Sequence, residues 1–317
     1  MYTVQVEGVQ CTFSQEMGVE WMANKQSVVV TGVSTGIGWG ITKVLIANGF
    51  TVFGSVRRQS DADRLQREFG EAFTPLIMDV TDRQAVERAA AQVSTQLGSS
   101  ALAGLVNNAG VAVPGPLLHL PLEEYRRQLE VNLVAPLSVT QVFAPLLGAD
   151  LARRGPAGRI INIGSTAGKI GIPFMGAYVA SKHGLEGMSE ALRREMMIYG
   201  IDVIMIVPGP VATPIWDKGE AEDLSAYAGT AYGVTLEQFR KYMIADGRKG
   251  LEPERLGEAV YVALTAQRSK ASYTVIPQRF KNWTLPRLLP KRMVDKLIAK
   301  QLGLARTRAE EADTQLG

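Results

Sequence analysis

The sequence predicts a single doubly wound α/β domain, a parallel seven-stranded sheet with helices on both faces. Two observations carry this reading. Strand-like and helix-like segments alternate through most of the 317 residues, and such alternation argues for parallel strands joined by right-handed crossovers. A glycine-rich turn, Thr31-Gly-Val-Ser-Thr-Gly36-Ile-Gly38, also directly follows the β-branched run Val28-Val29-Val30. Strands are predicted at 27–31, 51–56, 74–78, 102–107, 159–164, 201–206 and 272–276, and helices at 37–48, 61–69, 82–97, 121–149, 177–199 and 253–267. The first strand is the valine run, and its helix follows over 39–47. The second is Val52-Phe-Gly-Ser-Val56, and the third ends at Met78-Asp-Val80. The fourth closes on Asn107-Asn-Ala-Gly110, the fifth spans 160–163, and the sixth leads into Pro208-Gly-Pro-Val-Ala-Thr213. A ligand crevice in such a sheet opens at the carboxyl ends of the strands, where these motifs fall.

Composition sets the bounds. Doubly wound domains routinely exceed the usual domain length, and 46% hydrophobic residues suffice for one large core. The net charge of +3, with no basic face interleaved with aromatics, argues against a nucleic-acid partner. One cysteine, Cys11, excludes intrachain disulfides and thiolate zinc sites and fits a reducing, cytoplasmic compartment. His119 and His183 are too few for histidine-based metal or triad chemistry; both are read as structural, and no metal site is expected. No stretch is read as reaching the apolar length of a membrane span, and no secretory pattern opens the chain. Residues 1–26 are expected to be a loosely ordered extension. Met22 stands before the first strand much as a natural start would, so residues 1–21 are read as the product of an upstream start codon.

The chemistry is signalled by Tyr178-Val-Ala-Ser-Lys182, with Ser165 thirteen residues upstream. Tyr and Lys at i and i+4 share one helix face. A cation beside a phenol favours the phenolate, drawing the Tyr pKa from about 10 toward neutrality, where it exchanges a proton with an alcohol or carbonyl. Ser165 would donate a hydrogen bond to the same substrate oxygen. The glycine-rich turn supplies the complement: close backbone approach and a helix N-terminus suited to a pyrophosphate. Alone, each motif is a weak signal; a tight βα turn or a surface helix produces either.

Together with Asp79, Asn107-Asn-Ala-Gly110, Asn132 and Pro208-Gly-Pro-Val-Ala-Thr213, in that order, they resemble the short-chain dehydrogenase/reductase family over about 27–276. The hydroxysteroid and retinol dehydrogenase-like members are the most similar in character. The resemblance implies a Rossmann domain at 27–277, strand order 3-2-1-4-5-6-7, and a catalytic set of Asn132, Ser165, Tyr178 and Lys182. Hydride would pass between a nicotinamide and a carbonyl carbon. Lys182 would also hold the nicotinamide ribose, and Asn132 a water that relays protons from Lys182 to solvent. Cofactor contacts are expected from Gly32, Ser34, Thr35, Gly36, Ile37, Gly38, Arg57, Asp79, Val80, Asn108, Ala109, Gly110, Tyr178, Lys182, Pro208, Gly209, Val211 and Thr213. Asp79 would bond the adenine amino group, with Val80 packing nearby.

Cofactor choice rests on Val56-Arg57-Arg58. NAD-dependent relatives usually place an acidic residue at the position of Val56. Arg57 instead suits a 2′-phosphate, being planar, always charged and bidentate, so NADP(H) is expected, with NAD(H) the alternative. Thr35 departs from the pattern, since many NADP-preferring relatives carry a basic residue there.

Residues 214–250 are expected to form a substrate lid. Trp216, Leu224, Tyr227, Tyr232, Phe239, Tyr242 and Met243 would line an apolar pocket or form the buried face of two lid helices, and Phe174 and Met175 face the substrate mouth. A lipophilic alcohol, ketone or aldehyde is the expected substrate: steroid-like, retinoid-like or long-chain. A 3-oxoacyl thioester reductase and a non-catalytic NADP(H)-binding regulator are the alternatives. Residues 278–317 are read as an amphipathic extension and polar tail, in which Met293, Val294, Leu297, Ile298 and Leu302 form one apolar stripe after Pro290. Such a helix, within 281–302, would pack on its own domain, on a partner subunit or on a membrane surface. By resemblance the default assembly is a homodimer through the helices carrying Asn132 and Tyr178.

Overall fold

The computed structural model describes the backbone of residues 3–6 and 9–12 together with residues 26–277 and 289–304. The chain opens with an antiparallel pair, β1 (Thr3–Val6) and β2 (Val9–Thr12), within the stretch expected to be loosely ordered. The domain itself starts at β3 (Ser27–Val30), whose valines are fully buried. It continues through α1 (Gly36–Ala47), β4 (Thr51–Val56), α2 (Gln59–Phe69), β5 (Phe73–Ile77), α3 (Arg83–Leu97) and β6 (Gly104–Asn107). Then come α4 (Leu122–Leu129), α5 (Ala135–Phe143), β7 (Arg159–Ile163), α6 (Gly176–Glu195) and β8 (Asp202–Pro208). The chain goes on through α7 (Ile215–Ala221), α8 (Gly233–Gly247), α9 (Pro253–Thr265), β9 (Ser272–Val275) and α10 (Lys291–Leu302).

The sheet order is β5-β4-β3-β6-β7-β8-β9, every pair parallel. This is the expected 3-2-1-4-5-6-7. The period-2 alternation of a strand buried on both faces sorts the core into two layers. Val28, Val30, Ile161, Ile204 and Ile206 face one way, under α1 and α9 through Ile41, Leu45, Leu256 and Val260. Val29, Phe53, Leu105, Ile160 and Val203 face the other, under α3 and α5 through Val86, Val93, Val139 and Phe143. The order reverses at β3 and β6, and there the turns leaving both strands open a crevice.

The segment predicted as a helix over 121–149 is helical throughout Leu122–Leu147, but it is not uniformly α. A π turn at Glu130–Val134 separates α4 from α5, and a 3₁₀ turn at Ala144–Leu147 ends the segment. Pro136 gives the physical reason: it has no N–H to return to the carbonyl of Asn132. A second correction concerns the same segment. By length and hydropathy Leu122–Leu147 matches a membrane span, contrary to the sequence expectation. Its Ala135, Val139, Phe143 and Leu147 are buried against the sheet, which makes it a core element of this domain.

Candidate active site

The cofactor side is built largely from backbone. Thr31, the residue after β3, accepts at Oγ1 from Asn108 N (2.9 Å) and Ala109 N (3.0 Å). Asn108 Nδ2 in turn donates to Thr31 O (2.8 Å) and Gly32 O (3.0 Å). The two turns at the switch point are thus cross-braced, and Asn108 acts within the frame, its amide committed to the facing turn. A Cβ on Gly38 would lie 2.2 Å from Gly32 O and 2.5 Å from Asn108 Nδ2, so only glycine lets helix α1 start here. Gly32 takes φ +70 with Ala109 Cα 2.9 Å from where its Cβ would be. Thr35, at the N-cap of α1, makes no side-chain cap, and the first turn carries no acidic residue. Its N–H groups and positive dipole end therefore favour an anion. Gly36 meets Thr213 of the Pro208–Thr213 turn, with a Cβ placed 3.2 Å away. That turn is held by Gly209 N to Val275 O and by Ala212 N to Leu251 O.

Two residues on this side escape sequence reasoning. Ser55, buried in β4, accepts from Gly32 N at 2.9 Å, and Arg64 on α2 donates from Nη2 to Ser34 O at 2.5 Å. Neither belongs to a motif; only the fold brings them to the turn. Arg57 leaves the end of β4 exposed, near enough to Asp79 for its charge to act on that carboxyl. Burial acts to raise the Asp79 pKa, but hydrogen bonds from Thr81 N and Oγ1 and the Arg57 charge outweigh it, and the net shift is downward.

The catalytic side is set by β7 and α6. Ser165 caps the 3₁₀ turn Thr166–Gly168, its Oγ accepting from Ala167 N at 3.1 Å, and its hydroxyl is near enough to Tyr178 to act on that phenol's pKa. Lys182, one turn beyond Tyr178, is buried and donates from Nζ to Ile163 O at 2.8 Å. Here the structure corrects the expected electrostatics. Burial raises the Tyr178 pKa, and the Ser165 hydroxyl offsets only part of that. The Lys182 ammonium sits 5.8 Å from the Tyr178 ring centroid, engaged with a carbonyl, and burial lowers its own pKa to about 8. Tyr178 is therefore a neutral phenol, a proton donor.

Asn132 is buried in the π turn, a conformation frequent at functional sites. Its side chain grips Val111, accepting from N and donating to O at 2.9 Å each, and reaches Ser181 Oγ at 3.2 Å. Beneath it runs a polar chain with no sequence signal. Asn107 Nδ2 donates to Asn162 Oδ1 (2.9 Å), and Asn162 Nδ2 donates to Ser189 Oγ (2.8 Å), tying β6, β7 and α6 together.

The region expected to cover substrate is a wall of side chains. Phe174, Tyr227, Leu236, Phe239 and Leu302 are buried in one cluster, with Met175, Leu224, Tyr232, Met243 and Ile298 packed against it. Phe174 holds φ 63, a left-handed backbone that is strained for a bulky residue. Its carbonyl accepts from Gly115 N at 2.7 Å, and its ring meets Phe239 at 5.4 Å and Tyr232 at 6.0 Å. Of the predicted lid aromatics, Trp216 bonds Val211 O through Nε1 at 2.7 Å, while Tyr242 is 51% exposed. His119 lies edge-on to Tyr232, and the His183 Nδ1 meets Val179 O at 3.0 Å. The predicted apolar stripe of α10 divides: Ile298 and Leu302 join the wall, while Met293 and Leu297 stay exposed. Residues 281–288 lie outside the described residues.

With this geometry in hand, residues 26–223 match the family model described as short chain dehydrogenase. The chain belongs to the short-chain dehydrogenase family. Members are oxidoreductases that act on alcohol and ketone groups with a nicotinamide cofactor. Across 274 residues the chain is 41% identical to an NADPH-dependent 3-dehydrocapnine reductase of Ornithobacterium rhinotracheale, covering 86% of this chain and 96% of that reductase. It is 37% identical to human retinol dehydrogenase 5 over 292 residues, 87% of this chain and 88% of the relative. Among solved structures, a serine dehydrogenase complexed with NADP+ superposes with a TM-score of 0.65 at 27% identity, covering 80% of this chain and 95% of that one.

Proposed function

We propose that this chain is an NADPH-dependent reductase of a lipophilic ketone or aldehyde. The observation that carries the reading is the placement of Ser165 at the turn after β7 beside α6, which bears a protonated Tyr178 one turn before the buried Lys182. Bound NADPH supplies the hydride. Tyr178 gives its proton to the carbonyl oxygen as negative charge develops there, and Ser165 donates a hydrogen bond to the same oxygen. Lys182 serves the nicotinamide ribose and returns a proton to Tyr178, replenished through water held near Asn132. Gly32, Ser34, Thr35, Gly36, Ile37 and Gly38 would hold the pyrophosphate at the N-terminus of α1. Asp79 and Val80 take the adenine, and Ala109, Gly110, Pro208, Gly209, Val211 and Thr213 line the remaining length.

The exposed Arg57, with no acidic residue at Val56, supports NADP(H) over NAD(H), as do the NADPH-dependent relative and the NADP+ complex. The apolar wall supports a lipophilic substrate, and relatives named for 3-dehydrocapnine and retinol agree with a small-molecule ketone or alcohol. A dimer through the helices bearing Asn132 and Tyr178, working in the cytoplasm, completes the proposal.

The test is loss of reduced-nicotinamide absorbance with NADPH and with NADH, against 3-dehydrocapnine, retinal, steroid ketones and an acetoacetyl thioester. Turnover of lipophilic carbonyls with NADPH is the expected result. Turnover of the thioester alone would move the chain to acyl-carrier chemistry. Tight NADPH binding with no turnover of any substrate would favour a nucleotide-binding regulator.

A further inference from the structure

We infer that Lys169 and Glu186 are positioning residues that latch the Ser165 turn onto the helix carrying Tyr178 and Lys182. The inference rests on the roles proposed for those three residues. Ser165 comes from the loop after β7 and Tyr178 from α6, so bringing both hydroxyls to one substrate oxygen needs the turn docked in one place. Docking begins with Gly168, where a Cβ would lie 3.0 Å from Lys182 O and 3.1 Å from Glu186 Cγ. The 3₁₀ turn Thr166–Gly168 therefore packs directly on the helix, between the catalytic lysine and the residue one turn later. Lys169, which ends that turn, closes the contact with a 3.0 Å ion pair from Nζ to Glu186 Oε2.

The pair is unlike the other ion pairs described. Glu186 keeps only 14% of its side-chain exposure, and its Oε1 is buried with no hydrogen-bond partner. The other described pairs join more exposed groups, most within one helix. A carboxylate in such surroundings is costly without its cation. Removing Lys169 thus leaves Glu186 strongly disposed to move, and the turn docked on it moves too. Tyr178, Lys182 and Glu186 recur every four residues on one face of α6, so a single face carries both the chemistry and the latch that brings Ser165 to it.

The experiment compares Lys169→Met and Glu186→Gln, each alone and combined with Ser165→Ala. Each single variant should lower kcat about tenfold, as misplacement of a catalytic group does, with the NADPH Kd within about twofold of wild type. In the Ser165→Ala background neither should cost anything further, because the group they position is gone. Equal losses in both backgrounds, or unchanged kcat in the singles, would overturn the latch. Hydrogen exchange gives a readout that needs no substrate. The amides of residues 165–169 should exchange faster in Lys169→Met than in wild type while the central strands stay protected, and unchanged exchange would refute the inference. An inactive wild type would count against the proposed function alone, since exchange still reads the latch.

Discussion

The two halves of the crevice are made of different material. The cofactor half is backbone fitted to backbone: Gly38 against Gly32 O, Thr31 and Asn108 bridging two turns, and an uncapped helix end. The substrate half is a packed cluster in which Phe174, Tyr227, Phe239 and Leu302 come from four separate segments. Backbone geometry tolerates few residue types, so it leaves a spacing that can be read. An aromatic wall tolerates many and leaves almost none. The difference implies that substitutions should act on one half at a time.

The largest separable effect should come from Gly38→Ala. With backbone 2.2 Å from the added carbon, overpacking of this kind costs about 1–3 kcal/mol, and the distorted turn should weaken NADPH binding by about tenfold for each 1.4 kcal/mol taken from it. Titration of NADPH fluorescence checks this, and unchanged affinity would break the backbone account. Next comes Arg57→Asp, which trades a charge-assisted phosphate contact for repulsion. Such bonds are worth roughly 1.5–3 kcal/mol, so the NADPH-to-NADH preference in kcat/KM should fall by about ten- to a hundredfold. A preference that stays put would remove the phosphate role.

In the other half, Leu302→Ala opens a cavity in the wall. Such changes cost about 2–5 kcal/mol in packed cores, reduced here because α10 sits at the surface. KM for the lipophilic carbonyl should rise several-fold with NADPH affinity unchanged. Loss of NADPH affinity in this variant would erase the distinction between the halves.

A further effect, separate from both halves, is a pH dependence of stability. Burial lowers the folded-state Lys182 pKa to about 8 from 10.5, so the buried charge destabilises the fold fully below pH 8. Between those values the unfolded chain binds more protons than the native one, and stability from this group rises with pH. Thermal unfolding of the ligand-free protein should show that rise, and Lys182→Met should flatten it. Above the usual tyrosine range the raised Tyr178 pKa acts in the opposite sense, since the unfolded phenol ionises first.

The same contrast explains what the sequence made legible. Valine runs and the glycine turn placed the strands within a few residues, and the order of motifs implied the strand order. The π turn at Asn132 is not legible because an apolar period continues through Pro136 and the proline's effect falls on a carbonyl. Ser55, Arg64, Asn162 and Glu186 carry no motif; the topology alone delivers them to the site. The tyrosine's protonation was misjudged for a physical reason. Helical spacing says that Lys182 shares a face with Tyr178, but not that its ammonium turns to Ile163 O or that burial dominates the phenol.

Tyr178→Phe tests the central claim most directly, because it deletes one proton donor and leaves both halves of the crevice packed. NADPH binding should stay within about twofold of wild type while reduction of the lipophilic carbonyl falls by about a thousandfold, within the range assigned to general acid catalysis. Turnover that survives the substitution, or NADPH binding lost along with it, would contradict the account.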